Sequence, residues 1–138
     1  MSDTPVSAEL RRLVSERAGG RCEYCRIHEA DTVLGCQLDH IISEKHDGPT
    51  SAANLAFACV FCNQHKGSDI ASLDETGALT PLFHPRTDDW GDHFAFDGPR
   101  LTGLTATGRA TIRLLRMNTP ERLVERALLI QAGRLIPN

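Results

Sequence analysis

The chain has 138 residues, of which 41% are hydrophobic and 24% are charged, and its formal net charge is −3. This balance is typical of one globular domain and argues against a nucleic-acid binder along the whole chain. No apolar run reaches the roughly 18 residues of a membrane span, and the first residues lack the basic-then-apolar pattern of a secretory signal. We therefore expect a single domain over residues 1–138, located in the cytoplasm and without a membrane partner.

The first predicted element is a helix over residues 6–18. Its apolar residues recur at helical spacing, Ser7 can cap its amino end, and two glycines follow it. A tight turn that contains two cysteines comes next, at residues 21–25.

A strand, a loop, a second strand and a helix are predicted in the centre of the chain. Alternate residues such as Cys36 and Leu38 share one face of the first strand. A polar loop at residues 43–53 returns the chain to a second strand around residues 55–58. A short helix follows and ends at Gly67.

The segment after this helix is less regular. Residues 70–85 show no strong period, and we expect little regular structure there. A hairpin that turns at Asp97-Gly98 follows. Three aromatic side chains in and before this hairpin are expected to fill the core against the last helices: Trp90, Phe94 and Phe96.

Two helices are predicted in the last part of the sequence. The first covers residues 106–117, and the second opens with the cap and first-turn pair Thr119-Pro120 and ends at Gly133. The region 90–138 is therefore an accessory hairpin and two helices. The order of all these elements predicts a small α+β fold.

Four of the five cysteines form two pairs with the same spacing. Each pair reads Cys-x2-Cys, and 33 residues separate the pairs. In a reducing compartment this pattern favours a closed, structural Zn²⁺ site over a redox dithiol or unrelated buried thiols. The fifth, Cys36, is expected to pack as a small apolar residue. The predicted zinc ligands are Cys22, Cys25, Cys59 and Cys62.

The zinc site would bring together residues suited to phosphodiester hydrolysis. His40 can act as a base near neutral pH, and the carboxylate of Asp39 and the amide of Asn63 are hard ligands for Mg²⁺ or Mn²⁺. Asp39 and His40 would face opposite ways in a regular strand, so we expect the strand to end or bulge there.

Helix geometry favours Asn63 over His65 as the second metal ligand. Asn63 and Lys66 share one face of the short helix, whereas His65 points about 200° away from Asn63. Lys66 would then reach a phosphate oxygen, and Asn54 would hold the preceding loop by hydrogen bonds. Each residue also has an ordinary structural interpretation when it is taken singly. Asn54 could be a strand-entry residue, Asn63 could cap a helix, and Lys66 could be a solvated side chain at the end of the helix.

Together, the runs CEYC, LDHIIS and NLAFACVFCNQHKG resemble the HNH endonuclease family with its ββα-metal fold, in the variant whose third signature residue is asparagine. The resemblance covers residues 21–67. It implies that His40 is the general base, that Asp39 and Asn63 bind the catalytic metal, and that Asn54 is the central asparagine that orders the loop. It also implies that the four cysteines hold structural zinc.

The end of the chain offers a candidate contact to nucleic acid. Residues 68–99 carry a net charge of −6, whereas residues 100–138 carry +5. Arginines recur at helical spacing in both last helices and either bind phosphates without sequence preference or form a solvated face. These residues are Arg109, Arg113 and Arg116 on the first helix and Arg122 and Arg126 on the second.

We therefore interpret the chain as an endonuclease that uses Mg²⁺ or Mn²⁺, acts on DNA rather than RNA, and could work as a homodimer. The resemblance implies products with a 5′-phosphate and a 3′-hydroxyl. The alternative is a zinc-stabilised module that binds nucleic acid without cutting it. The set of Asp39, His40 and Asn63 separates the two, because a binding module needs no base beside two hard ligands.

Overall fold

The computed structural model describes residues 5–137. Helix α1 (Ala8–Arg17) opens the described chain, and the Oγ of Ser7 accepts a hydrogen bond from Leu10 N–H at 3.1 Å. This is the predicted cap, which satisfies an amide that has no partner within the helix. The helix is confirmed, and it is slightly shorter than predicted at both ends.

An antiparallel hairpin lies at the centre of the fold. Strand β1 (Cys36–His40) pairs with strand β2 (Leu55–Cys59) over the full length of both. One face of this hairpin packs against α1 through a buried cluster that contains Val14, Leu55 and Phe57, with Cys36 partly buried beside it. Cys36 therefore packs with apolar residues, as predicted.

Helix α2 (Val60–Lys66) follows β2 directly and lies beside β1. The side chain of Asn63 contacts that of Gln37, and the side chain of Lys66 contacts that of Asp39. The predicted strand, strand and helix are confirmed, and one face of α2 points toward the strand that carries the Asp-His pair.

The segment 70–85 contains more regular structure than we predicted. Strands β3 (Ala71–Leu73) and β4 (Leu79–Pro81) form a second antiparallel hairpin. The Oδ1 of Asp74 accepts hydrogen bonds from the backbone amides of Thr76 and Ala78 and so closes the turn. Strands of three residues are too short to show an alternating pattern, which is why the sequence prediction here was wrong.

The predicted third hairpin is present, with a small shift of its turn. Strands β5 (Phe94–Asp97) and β6 (Arg100–Gly103) pair to their ends, so Gly98 and Pro99 form the turn, one residue later than predicted. Gly98 has a φ of 56°, which glycine adopts without a steric penalty. A short helix, α3 (Trp90–His93), precedes the hairpin and was not predicted.

Two helices complete the α+β fold. Helix α4 (Ala106–Leu114) ends before Arg116, whose φ is 51°. Helix α5 (Pro120–Gln131) is capped by Thr119, as predicted. No helix in the described part of the chain is long and apolar enough to cross a membrane.

A larger buried cluster joins the centre of the chain to its last third. Phe94 is 2% exposed, and Trp90 and Phe96 pack against the cluster while partly buried, with Trp90 and Phe94 centroids 5.2 Å apart. The expectation that these aromatics fill the core is confirmed. The cluster combines cysteine side chains with Tyr24, Phe83, Phe94, Leu101, Leu115 and Met117.

Candidate active site and metal centre

The four paired cysteines converge in the interior. Their sulfur atoms all lie within 4.8 Å of one another, and the Sγ atoms of Cys25 and Cys59 are 3.7 Å apart. Four ligands at a Zn–S distance of about 2.3 Å in a tetrahedron would stand about 3.8 Å apart. The cluster therefore fits a tetrahedral zinc ion. Its members are Cys22, Cys25, Cys59 and Cys62.

Backbone geometry shapes each pair for this role. The amide of Cys25 donates to the Sγ of Cys22, and the amide of Cys62 donates to the Sγ of Cys59, both at 3.4 Å. Hydrogen bonds from the three other cysteines lower the pKa of the Cys25 thiol well below its usual range. Burial raises the pKa of Cys22.

Two arginines that we expected on a basic surface are instead buried. Arg122 is 8% exposed and donates to the Sγ of Cys62 at 3.5 Å and to that of Cys59 at 3.8 Å. Burial works to lower the pKa of Arg122, but the adjacent cysteine sulfurs outweigh it and hold this pKa above its ordinary value. Arg126 is 5% exposed and donates to two backbone carbonyls. The prediction of an exposed stripe on α5 is therefore wrong, because both side chains turn inward to buried acceptors.

Asp39 is buried at the side of β1 that faces α2. Its Oδ2 accepts a hydrogen bond from the hydroxyl of Tyr24 at 2.8 Å and lies 3.2 Å from the Nζ of Lys66. Burial raises the pKa of Asp39, and the charge of Lys66 and the Tyr24 hydroxyl oppose that shift. The carboxylate is thus held in place by one hydroxyl and one ammonium group.

His40 is the last residue of β1 and turns toward the following loop. Its Nε2 lies 2.9 Å from the Oγ1 of Thr50 and 3.6 Å from the Oε1 of Glu44. The strand ends at this residue, which is the break predicted from the sequence. Asp39 and His40 therefore contact different elements although they are adjacent in the chain.

Asn54 clamps the loop that carries these groups. Its Oδ1 accepts from Ile42 N–H at 2.9 Å, and its Nδ2 donates to the carbonyls of Ile42 and Pro49 at 2.9 and 2.8 Å. A Cβ added at Gly48 would lie 1.7 Å from the Ile42 carbonyl oxygen, so the loop requires glycine at this close approach. These contacts fix the chain directly after His40.

Asn63 and His65 lie on different sides of α2. The Nδ2 of Asn63 donates to the Oε1 of Gln37 at 2.7 Å, whereas the Nδ1 of His65 lies 2.8 Å from the Phe61 carbonyl. Among the described residues none donates to the Oδ1 of Asn63. This oxygen and the carboxylate of Asp39 are the kind of hard donors that suit Mg²⁺ or Mn²⁺.

Lys66 does not lie where we predicted it. It is 2% exposed, and its Nζ lies 3.1 to 3.4 Å from the carbonyls of His40 and Ile41 and from Asp39 Oδ1. A phosphate in solution cannot reach an ammonium group in this position. The buried carboxylate and two carbonyls at the end of β1 attract the ammonium inward, because a buried charge needs a partner.

The family model described as HNH endonuclease matches residues 22–69. This segment is an HNH domain. The resemblance drawn from the motifs is confirmed, with bounds close to the predicted 21–67. No curated protein and no solved structure matches the chain significantly.

Outside the HNH domain, the arginines of α4 contact the β3–β4 hairpin. The Nε of Arg109 lies 3.0 Å from the Oε1 of Glu75, and Arg113 donates to the carbonyls of Leu73 and Asp74. Arg109 and Arg113 on α4, and Arg116 just after its end, are all exposed. Part of the charge asymmetry is thus compensated within the chain, and contact with nucleic acid stays a prediction for this helix.

Three residues of the site were missed in the sequence, and a fourth, Arg122, was expected on a basic surface. Tyr24 lies between two zinc-site cysteines, Glu44 and Thr50 lie in the polar loop, and Arg122 lies far along the chain. The position of Glu44, four residues after His40, is a local signal that could have been used. The other three contacts depend on how distant segments pack, which spacing does not reveal.

Proposed function

We propose that the HNH domain is a nuclease that hydrolyses phosphodiester bonds, in DNA rather than RNA, with His40 as general base. The observation that carries this proposal is the constellation at the end of β1. A buried carboxylate and an imidazole stand on consecutive residues: Tyr24 and Lys66 hold the carboxylate, and the loop that Asn54 clamps holds the imidazole. Such preorganised groups are typical of sites that do chemistry.

The residues have separate parts in the reaction. His40 takes a proton from water, whose oxygen attacks the phosphorus, and the bond to the 3′ oxygen breaks. A divalent cation held by Asp39 and Asn63 would supply positive charge to stabilise the negative charge that builds on the phosphodiester. Asn54 orients the loop and so the imidazole. The expected products carry a 5′-phosphate and a 3′-hydroxyl.

The cysteine cluster has a structural part in this proposal. Four thiolates around Zn²⁺ leave no position for a substrate. Zinc binding of this kind is worth roughly 10 to 16 kcal/mol in small peptides, comparable to the stability of a whole domain. The cluster joins the turn at residues 22–25 to the start of α2, which carries Asn63. Zinc would therefore hold the two sides of the site together.

One observation favours a second function, a module that binds nucleic acid without cutting it. The ammonium of Lys66 already neutralises Asp39, so the carboxylate has a cation without any metal. If this pair persists in solution, the site is not available to Mg²⁺. In that function the exposed arginines of α4 would carry the binding.

Cleavage of supercoiled plasmid by the zinc-loaded protein separates the two functions. The reaction is run with Mg²⁺, with Mn²⁺ and without either, and a single-stranded RNA is tested in parallel. We expect nicking that needs the added cation and is lost in His40→Ala. The matched control is His46→Ala, since His46 is exposed on the same loop. Zinc content and thermal unfolding are measured for all three proteins.

The outcomes lead to different conclusions. Activity retained by His40→Ala at full zinc content would remove His40 from the mechanism. No cleavage by any protein, together with DNA binding that weakens steeply with salt, would favour the binding module. Sedimentation at the assay concentration would show whether the active species is a homodimer.

A further inference from the structure

The loop between β1 and β2 contacts the imidazole of His40 through two residues that have no assigned part in the reaction. The Oγ1 of Thr50 lies 2.9 Å from the Nε2 of His40 and donates to the Oε1 of Glu44 at 3.2 Å. The same carboxylate oxygen lies 3.6 Å from the Nε2. Two polar groups, a hydroxyl and a carboxylate, thus meet at one nitrogen of the ring.

The direction of each hydrogen bond follows from the number of protons. An ionised carboxylate only accepts, and a threonine hydroxyl has a single proton. When that proton goes to Glu44, the Thr50 oxygen meets the ring as an acceptor. The Nε2 must then carry a proton, and in a neutral imidazole the other nitrogen, Nδ1, has the free electron pair.

We propose that Thr50 and Glu44 are positioning residues that hold His40 as the Nε2–H tautomer and leave Nδ1 as the atom that accepts the proton. The inference rests on the proposed nuclease function. In the step, an O–H bond of water breaks and its proton goes to Nδ1, while the electron pair forms the new P–O bond. The bond to the 3′ oxygen breaks, and that oxygen takes a proton from solvent.

The surrounding structure supports this assignment. No described residue forms a hydrogen bond with the Nδ1 of His40, so this nitrogen is the one available to water. The side chain of His40 is 7% exposed, so its ring cannot turn freely. Ser43 accepts from Lys45 N–H at 3.0 Å and so starts the short turn Glu44–His46, which presents Glu44 to the ring. Orientation by a third group is the arrangement that activates histidine bases in other hydrolases.

The first test needs no catalytic activity. Nitrogen-15 NMR of zinc-loaded, histidine-labelled protein identifies the tautomer from the two-bond ring correlations, and saturation transfer gives the exchange rate of the Nε2 proton with water. We expect the Nε2–H tautomer with slow exchange in the parent protein. Thr50→Val should speed the exchange roughly 10-fold or more by removing the acceptor, and Thr50→Ser should restore it. The control is Thr102→Val, a change at an exposed strand residue.

The second test uses plasmid cleavage. Thr50→Val should lower kcat roughly 10- to 100-fold with little change in KM, because the base is misplaced while substrate binding is kept. Thr50→Ser should stay within about 3-fold of the parent protein. Glu44→Gln, which still accepts from Thr50, should lie between the two.

The two tests separate failure of this inference from failure of the nuclease function. If the parent protein cuts but His40 is the Nδ1–H tautomer, or Thr50→Val changes neither exchange nor kcat, the positioning role is wrong. If the parent protein cuts nothing while Nε2–H is slow to exchange and becomes fast in Thr50→Val, the contacts stand and the nuclease function does not. If Thr50→Val loses zinc, the parent protein is compared with Thr50→Ser and Glu44→Gln instead. In that case, full kcat in Glu44→Gln together with fast exchange of its Nε2 proton would overturn the inference.

Discussion

Replacing Lys66 by methionine keeps the length of the side chain and removes its ammonium group. Lys66 and Asp39 are 2% and 4% exposed, and their charged atoms are 3.2 Å apart. Breaking a buried pair by removing one partner costs about 3 to 5 kcal/mol, because the other charge stays buried without compensation. We expect the free energy of unfolding of the zinc-loaded protein to fall by about that amount.

Urea denaturation at fixed zinc measures this loss, and two further variants interpret it. Lys45 is the other lysine of the chain and is exposed, so Lys45→Met should stay within about 0.5 kcal/mol of the parent protein. The double variant Asp39→Asn with Lys66→Met removes both charges. Its loss should be smaller than the sum of the two single losses, because the uncompensated charge is gone.

The same change should strengthen metal binding. Without its ammonium partner, Asp39 is free to bind a cation, so Mn²⁺ should bind Lys66→Met more tightly than the parent protein in a calorimetric titration. Mn²⁺ should also recover part of the lost stability. A Lys66→Met protein within 1 kcal/mol of the parent, as a rough limit, and with the same Mn²⁺ affinity would refute the reasoning, since the ammonium would then not neutralise Asp39 in solution.

Three further predictions test other parts of the molecule. Arg122→Met should weaken zinc binding about 10- to 100-fold in competition with a chromophoric chelator, because the cation beside the thiolates is lost. Arg12→Met, on the exposed side of α1, should leave zinc affinity unchanged, and equal affinities of the two variants would contradict this prediction. Asn54→Ala removes three hydrogen bonds, so it should lower the free energy of unfolding by about 2 to 4 kcal/mol and abolish cleavage. A stable and active variant would show that the loop keeps its conformation without Asn54. Replacing Arg109 and Arg116 by alanine should weaken binding to a DNA duplex and reduce its salt slope by about 2; an unchanged slope would leave α4 a solvated face.

Much of the HNH domain could be predicted from the sequence because it is encoded locally. The Cys-x2-Cys spacing brings two sulfurs to one side of a turn whatever surrounds it, and the four sulfurs do cluster. The helix caps at Ser7 and Thr119 are likewise a matter of a few consecutive residues. The end of β1 at His40 was expected because adjacent side chains of a regular strand face opposite ways, whereas one site would need both Asp39 and His40.

The partners of the long charged side chains were decided only by the tertiary structure. Lys66, Arg122 and Arg126 looked like surface charges, yet each is buried against acceptors supplied by distant segments. Helical spacing gives the face on which a side chain lies, but whether that face meets solvent depends on which element packs there. A cationic side chain is buried only where packing has placed carbonyls, thiolates or a carboxylate that it can pair with. No local sequence pattern contains that information.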